Sequence, residues 1–231
     1  MAAETIPELE LYLVRHAQSR SNAGESGPDS PLSELGQRQA ELLGAFFAQQ
    51  KLDCIISSGL RRAVATAAEV AKRQPEDGAR VVEINRLFCE CGTGPDNENR
   101  SIAELAKEFP LAVPTAGEDW ESEAILYTQP EPDELRKVRA DRALAWLRER
   151  FRSGEKVMVV AHGAFNTWLF FEALNMPGDD RFDADFSNTG ITKFVFYKEG
   201  FERFGCPVNL MCQNDHAHLR AEFPEMLFDM K

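Results

Sequence analysis

The sequence predicts an α/β sandwich with a largely parallel sheet, because short apolar runs alternate with segments of helical periodicity along most of the chain. Two of these runs end in a histidine. Residues 9–14 lead into Arg15 and His16, and residues 157–161 lead into His162. In open α/β sheets, ligands bind in the crevice outside the carboxyl ends of the strands. We therefore expect the two histidines to share one site.

The predicted strands are short apolar runs bounded by polar loops. They cover residues 9–14, 54–56, 81–84, 157–161 and 191–197. Apolar residues at helical spacing predict helices after Ser33, a suitable N-cap, and over residues 61–73, 102–109, 135–151 and 165–174. In the fourth helix the predicted apolar face consists of Val138, Leu144, Trp146 and Leu147. After Gly205 only Leu210 and Leu219 are expected to anchor the chain by packing.

Composition narrows the class of protein. The chain has 231 residues, enough for one large domain or two small ones, of which we favour a single domain over residues 1–231. Its 43% of hydrophobic and 28% of charged residues are ordinary for a globular protein. A net charge of −12 argues against nucleic acid and anionic membranes as partners. No apolar run approaches the ~20 residues of a membrane helix. Residues 1–6 lack the basic and apolar regions of a secretory signal, so we expect a cytoplasmic protein.

Five cysteines in a protein of this kind are expected to be free thiols. Near the C-terminus, cysteines and histidines crowd together in sequence at Cys206, Cys212, His216 and His218. Their spacing does not match a usual zinc pattern. We favour buried thiols and structural histidines over a metal site here.

Residues 88–133 differ from the rest of the chain. They are rich in glycine, proline and acidic residues, with one short helical segment. A loop-rich insertion of this length in a compact domain is usually functional or disordered. We interpret it as a lid over the site; the alternative is a solvated acidic excursion that does not contact the substrate.

The polar residues near the predicted strand ends suit a phosphoryl group. Guanidinium groups match phosphate oxygens, a neutral imidazole can attack phosphorus, and a carboxylic acid can protonate a leaving oxygen. The candidates are Arg15, His16, Asn22, Arg62, Glu90 and His162. The sequence has no P-loop and no evident cluster of magnesium-binding carboxylates, so we expect chemistry without a metal or other cofactor.

Several segments resemble one family in their order. They are Leu13-Val14-Arg15-His16-Ala17-Gln18-Ser19 with Asn22, Ser30-Pro31-Leu32-Ser33-Glu34-Leu35-Gly36 with Gln39-Ala40, Ser57-Ser58-Gly59-Leu60-Arg61-Arg62-Ala63 with Thr66-Ala67, and Val159-Val160-Ala161-His162-Gly163. The ordered set resembles the histidine phosphatase superfamily, which contains cofactor-dependent phosphoglycerate mutases and many phosphatases. Each block alone is a weak signal, whereas the set is highly specific.

The resemblance implies a phosphoglycerate mutase-like fold: a three-layer α/β/α sandwich with a mostly parallel central sheet and a loop-rich lid insertion. It also implies roles for the candidate residues. His16 would be the nucleophile that forms a phosphohistidine, while Arg15, Arg62 and His162 would surround the phosphoryl oxygens. Asn22 and Gly163 would help to bind the substrate.

The acid is the least secure match to the family pattern. Glu90 is favoured because the family usually has an apolar residue two before the acid and a glycine a few after it, and Phe88 and Gly92 or Gly94 align with that pattern. The alternatives are Glu83, Glu98 and Glu104. Two further departures, Ala17 for glycine and Gln18 for glutamate, remove no catalytic group.

The favoured reaction is metal-independent hydrolysis of a small phosphorylated substrate. Mutases of the family resemble one another in a Glu-Arg-His-Tyr-Gly stretch at the acid and in a basic lid. Here Glu90 is followed by Cys91-Gly92-Thr93-Gly94 and an acidic stretch, with Arg100 and Lys107 among few cations. The alternatives are phosphoglycerate mutase-type transfer and a phosphoprotein phosphatase or regulatory module. The acidity also disfavours polyphosphorylated substrates.

Overall fold

The computed structural model describes residues 5–25, 27–92, 97, 100–116, 131–177 and 183–223. Within these residues, strands form a seven-stranded sheet in the order β4-β3-β2-β5-β1-β6-β7. The strands are β1 (Pro7–Arg15), β2 (Cys54–Ser57), β3 (Val82–Ile84), β4 (Ala112–Pro114), β5 (Glu155–Ala161), β6 (Ile191–Tyr197) and β7 (Val208–Asp215). Strands β1 to β5 pair in parallel, and β6 and β7 add to the β1 side as antiparallel strands. The sheet is therefore mostly parallel, as the sequence predicted.

Helices cover both faces of the sheet. They are α1 (Glu34–Phe47), α2 (Arg61–Ala71), α3 (Ile102–Glu108), α4 (Asp133–Arg150) and α5 (Gly163–Ala173). Alternate side chains of β1 point into different cores: Leu11 packs with residues of α4 and α5, and Tyr12 packs with residues of α1 and α2. Because both faces are covered, β1 is apolar from Leu11 to Val14 and β5 from Val157 to Ala161, as is usual in parallel sheets. The three-layer α/β/α arrangement is confirmed.

The pairing of β1 with β5 places the two histidines together. Arg15 lies opposite Ala161 in the parallel register, so the residues that follow, His16 and His162, leave the sheet at the same edge. The backbone N–H of His16 also donates to Ala161 O at 2.9 Å, which extends the pairing by one residue. Register on a buried strand is strongly specified because a slip would turn its apolar side chains to the opposite face.

Two strands were absent from the sequence prediction. Strand β4 lies inside the predicted insertion and pairs with β3, so this part of residues 88–133 belongs to the sheet. Strand β7 lies in the chain after Gly205 and pairs with β6, with irregularities in the register. Both strands lie at sheet edges, and β4 has only three residues. Such elements carry little of the apolar periodicity that identifies a strand.

The predicted apolar face of α4 was partly wrong. Val138 is 62% exposed, whereas its neighbour Arg139 is 6% exposed. Leu144 and Leu147 do face the core.

The insertion lies partly outside the described residues, at 93–96, 98, 99 and 117–130, so its function as a lid stays a prediction. Among the described helices, none combines the length and apolar character required to cross a bilayer.

Candidate active site

The nucleophile candidate, His16, has a defined tautomer. Its side chain is 2% exposed, and Nδ1 lies 2.7 Å from Ala17 O. A carbonyl oxygen only accepts hydrogen bonds, so Nδ1 must carry the proton. The other nitrogen, Nε2, then keeps its lone pair and accepts a hydrogen bond from Arg62 Nε–H at 3.1 Å. The ring therefore presents an unprotonated Nε2 to the site, which is the form that can attack phosphorus.

Electrostatics favour the neutral form of His16. Burial lowers its pKa well below the ordinary value, and the nearby charges of Arg62 and Arg15 lower it further. Burial likewise lowers the pKa of His162, helped by Arg62, His16 and Arg15. The ring centroids of the two histidines lie 5.0 Å apart. Two imidazoles so close to two guanidiniums stay neutral near pH 7.

Arg62 is buried at the start of α2, with 4% of its surface exposed. Its Nε faces His16, and its Nη2 donates to Asn97 Oδ1 at 2.8 Å. The start of the helix is held by Asp29, whose carboxylate accepts the N–H of Arg61 at 2.8 Å. Asp29 thereby fixes the position from which the Arg62 side chain extends.

Arg15 and His162 have polar atoms available for a ligand. Arg15 Nη1 donates to Phe186 O at 2.6 Å, while its Nε has no hydrogen-bond partner among the described residues. His162 stands at the N-cap position of α5 with Nε2 at 2.7 Å from Ser58 Oγ, and its Nδ1 likewise has no partner in the described part of the chain. Buried polar groups are normally satisfied. These two atoms fit the oxygens of a bound anion.

Gly163 is the first residue of α5 and packs against the Arg15 guanidinium. A Cβ added at Gly163 would lie 3.6 Å from Arg15 Cζ, in ordinary van der Waals contact. The N-terminus of a helix also favours negative charge. The start of α5 and the Arg15 side chain thus border the same space.

Glu90 reaches the same helix start. Its Oε1 accepts hydrogen bonds from Cys91 N at 2.8 Å and from Phe165 N, in the first turn of α5, at 3.2 Å. The Glu90 charge also raises the pKa of Arg15, against the larger lowering by burial. Both bonds fall on one oxygen, which leaves Oε2 for proton transfer.

The alternatives to Glu90 lie elsewhere or outside the described residues. Glu83 forms a two-pronged ion pair with Arg150, with distances of 2.6 and 2.7 Å. Glu104 is engaged in a capping box with Ser101 at the start of α3. Glu98 is outside the described residues. Only Glu90 among the three described candidates contacts α5 beside His162.

Asn22 lies at the exposed side of the site and is oriented by a residue that the sequence analysis missed. Its Oδ1 accepts hydrogen bonds from Ser19 N at 3.2 Å and from Asn188 Nδ2 at 3.4 Å. The buried Asn188 also donates to His16 O at 2.8 Å, so one amide links Asn22 to the nucleophile's backbone. Its position just before β6 offered no pattern by which to find it.

The loop after His16 is supported by α1 and α2. Ala17 N donates to Thr66 Oγ1 at 3.0 Å, and Gln18 N donates to Gln39 Oε1 at 2.9 Å. Gln18 Oε1 accepts from Ser33 Oγ at 2.7 Å, while Ser33 also caps α1 as predicted. Ala17 and Gln18, the departures from the family pattern, therefore fit the loop without strain.

The C-terminal histidines are structural neighbours of the site. His218 is buried with Nε2 at 3.0 Å from Thr189 Oγ1, and Thr189 N donates to Arg15 O at 3.0 Å. Thr189 has a φ of 57°, in the left-handed region that non-glycine residues seldom adopt. Within the described residues, no three His, Cys, Asp or Glu side chains gather in a way that could hold a metal ion.

The chain is similar in sequence to proteins of one family. The family model of the histidine phosphatase superfamily (branch 1) matches residues 11–204. The chain is 30% identical over 182 residues to a glucosyl-3-phosphoglycerate phosphatase of Mycolicibacterium vanbaalenii, covering 74% of this chain and 76% of that one. It is 32% identical over 178 residues to a probable phosphoglycerate mutase GpmB of Yersinia pestis, covering 73% and 76%.

Two further matches differ in the share of each chain that they cover. The fructose-2,6-bisphosphatase TIGAR of Xenopus tropicalis is 31% identical over 134 residues, 56% of this chain, and the match spans less than half of TIGAR, 46%. The crystal structure of an Entamoeba histolytica phosphoserine phosphatase with 3-phosphoglyceric acid superposes with a TM-score of 0.60 at 23% identity, covering 91% of this chain and 99% of that one. The latter likeness shows the fold.

The chain belongs to the histidine phosphatase superfamily. The family and the fold class expected from the sequence are confirmed, as is the expectation of a phosphomonoester hydrolase. Its homologues include phosphatases of small phosphorylated compounds, and a phosphohistidine intermediate is general to the family.

Proposed function

We propose that this protein is a metal-independent phosphatase that hydrolyses small phosphomonoesters through a phosphohistidine on His16. The observation that carries the proposal is the tautomer of His16. The Nδ1–H bond to Ala17 O turns the lone pair of Nε2 toward Arg62 and the site. A neutral, buried imidazole with a fixed Nε2 is a competent nucleophile near pH 7.

In the first step, His16 Nε2 attacks phosphorus and the P–O ester bond breaks. Glu90 gives its proton to the leaving oxygen, and the alcohol departs. Charge on the phosphoryl oxygens is balanced by Arg15 and Arg62, with hydrogen bonds from His162 and Asn22. The Arg62 Nε–H that now meets the His16 lone pair is near enough to donate to a phosphoryl oxygen once the N–P bond forms.

In the second step, water replaces the imidazole. The Glu90 carboxylate takes a proton from the water, whose oxygen attacks phosphorus while the N–P bond breaks. His16 recovers its lone pair, inorganic phosphate leaves, and Glu90 is again protonated for the next cycle. No metal is needed, because the guanidiniums supply the positive charge that a metal ion would otherwise provide.

We favour monophosphates over bisphosphates. Arg100, one of the few cations of the insertion, is paired with Asp29 at 3.0 Å and with Glu108 at 3.5 Å. Arg61 also contacts Glu108. A second phosphate would have to displace these carboxylates. The expectation of a cytoplasmic protein stays a prediction.

The test is release of inorganic phosphate in the presence of a chelator. The substrates are p-nitrophenyl phosphate, sugar and glycerate monophosphates, and fructose 2,6-bisphosphate, with isomerisation of 3-phosphoglycerate followed in parallel. We expect turnover of monophosphates by the wild-type protein and an acid-labile phosphoryl label that His16→Ala abolishes. Isomerisation faster than hydrolysis would instead support the mutase alternative.

Neighbouring arginines provide a matched control. Arg62→Ala removes the donor beside His16 and is expected to lower kcat by about 100-fold or more, as the loss of one charge-stabilising donor does. Arg61→Ala removes a surface ion pair with Glu108 and is expected to leave kcat unchanged. Equal effects of the two substitutions would contradict the assigned site.

A further inference from the structure

An ion pair is buried behind the proposed acid. Arg139 of α4 and Glu131, just before that helix, are 6% and 2% exposed. Their contacts are two-pronged, Nε to Oε1 at 3.0 Å and Nη2 to Oε2 at 2.6 Å. A buried ion pair is often no more stabilising than apolar residues of the same volume, because desolvation offsets the attraction. The other contacts of the pair therefore indicate its role better than its own contribution to stability does.

The guanidinium of Arg139 holds the segment that carries Glu90. Its Nη1 donates to Leu87 O at 2.9 Å and to Cys89 O at 2.6 Å, and its Nη2 reaches Cys91 Sγ at 3.3 Å. One rigid group thus contacts the residues immediately before and after Glu90. This segment follows a short 3-10 turn and has no helix or strand of its own to fix it.

The same guanidinium also fixes the partner of the Glu90 carboxylate. Arg139 Cζ lies over the ring of Phe165, 4.3 Å from its centroid. Phe165 is the residue whose backbone N–H donates to Glu90 Oε1. Arg139 therefore contacts both the chain segment that carries Glu90 and Phe165, the residue of α5 that donates a hydrogen bond to the Glu90 carboxylate.

We propose that Arg139, oriented by Glu131, is a positioning residue for the acid Glu90. This inference rests on the proposed function and extends it. In this role Arg139 acts through the placement of the Glu90 carboxyl. Its loss should impair the protonation of the leaving oxygen more than the attack by His16.

A loss of leaving-group protonation can be distinguished from a loss of attack by His16 by comparing two classes of ester. The alkoxide of an alkyl phosphate is a poor leaving group and needs the proton of Glu90, whereas p-nitrophenolate leaves with little help. With Arg139→Met, which keeps much of the volume but no donor, we expect kcat/KM for glycerol 3-phosphate to fall about 100-fold, within the range of general acid catalysis. The ratio kcat/KM reports the steps up to release of the alcohol, and so excludes the attack of water that both esters share. For p-nitrophenyl phosphate we expect a fall of about threefold or less.

Three comparisons complete the test. Glu90→Gln should show the same preference for the aryl ester, and the double variant should be no slower than Glu90→Gln alone. Arg150→Met is the matched control, because Arg150 lies in the same helix and forms a two-pronged pair with Glu83. A thermal melt shows whether Arg139→Met is folded. If it is not, the same ratio of rates on the two esters is measured for Glu131→Gln and Arg139→Lys instead.

Each outcome decides between the possibilities. A selective loss on the alkyl ester, absent in Arg150→Met, supports the positioning role. Equal losses on both esters, or a further loss in the double variant, would show that Arg139 is structural and overturn the inference alone. A wild-type protein that hydrolyses neither ester would overturn the proposed function, and the inference with it.

Discussion

Replacing Gly36 by alanine would perturb the contact between α1 and the loop that follows His16. Gly36 lies in the first turn of α1, where an added Cβ would be 1.9 Å from Gln18 O. That carbonyl oxygen accepts the N–H of Ser33 at 3.0 Å, so its rotation would break a hydrogen bond. Gln18 is only two residues from His16, and the displacement therefore reaches the nucleophile.

The magnitude follows from the closeness of this contact. Overpacking a well-packed region costs about 1–3 kcal/mol, and a backbone contact far below 3 Å warrants the upper end, about 3 kcal/mol. Alanine in a helix recovers about 1 kcal/mol relative to glycine, which leaves about 2 kcal/mol of destabilisation. For a chain of 231 residues, this corresponds to a Tm lower by about 4–8 °C.

Gly44→Ala is the matched control in the same helix. Its added Cβ would lie 2.5 Å from Glu69 O of α2, away from the loop. We expect both variants to melt at lower temperature in a calorimetric or circular dichroism scan. Only Gly36→Ala should lose kcat on p-nitrophenyl phosphate, by about 10–100-fold, because small misplacements of reacting groups have large effects on rate.

Two results would contradict a coupling between Gly36 and the nucleophile. One is a Gly36→Ala protein with the Tm and kcat of the wild type. It would mean that α1 and the loop after His16 can move apart without a loss in the free energy of unfolding. The other is an equal loss of kcat in Gly44→Ala, which would mean that activity follows stability alone.

Two further predictions concern buried histidines. Ser58→Ala removes the hydroxyl at 2.7 Å from His162 Nε2 and should lower the free energy of unfolding by about 1–3 kcal/mol, the usual effect of an unsatisfied buried group. Ser57→Ala removes a hydroxyl that donates to the backbone oxygen of Ser58, and should cost less in the same urea titration. Burial lowers the pKa of His218 to about 4 from 6.5, so the unfolded chain binds this proton first as the pH falls. The stabilisation is complete above pH 6.5 and is lost progressively toward pH 4, by about 3 kcal/mol in total. Urea titrations at pH 7 and pH 4.5 should show a smaller loss of stability for His218→Gln than for the wild type, and an equal loss would contradict the reasoning.

Much of the site was predictable because its determinants are local. Arg15 and His16 directly follow an apolar run, and His162 directly follows another, so the pattern of each run locates the strand end. Ser33 was predictable as a helix cap because capping depends on a few adjacent residues. Their convergence followed from a general property of parallel sheets rather than from any single residue.

Other contributors depend on contacts between distant parts of the chain. Ser58 was noticed only as part of a motif, and its contact with His162 joins residues 104 positions apart. Asn188 and His16 are 172 positions apart. No spacing in the sequence encodes such a distance, because a hydrogen bond made by a side chain leaves no periodic signal.

The helix α4 shows most clearly what the sequence by itself determined and what the tertiary structure decided. Its length and helical character follow from its composition, and residues 133–150 form the helix close to the predicted range. Which face is buried did not follow: Val138 is exposed, and Arg139 is buried. Periodicity assigns apolar residues to the core, but a buried guanidinium is stable where Glu131 and backbone carbonyls compensate its desolvation. Those partners are brought together only when α4 packs over the segment that carries Glu90.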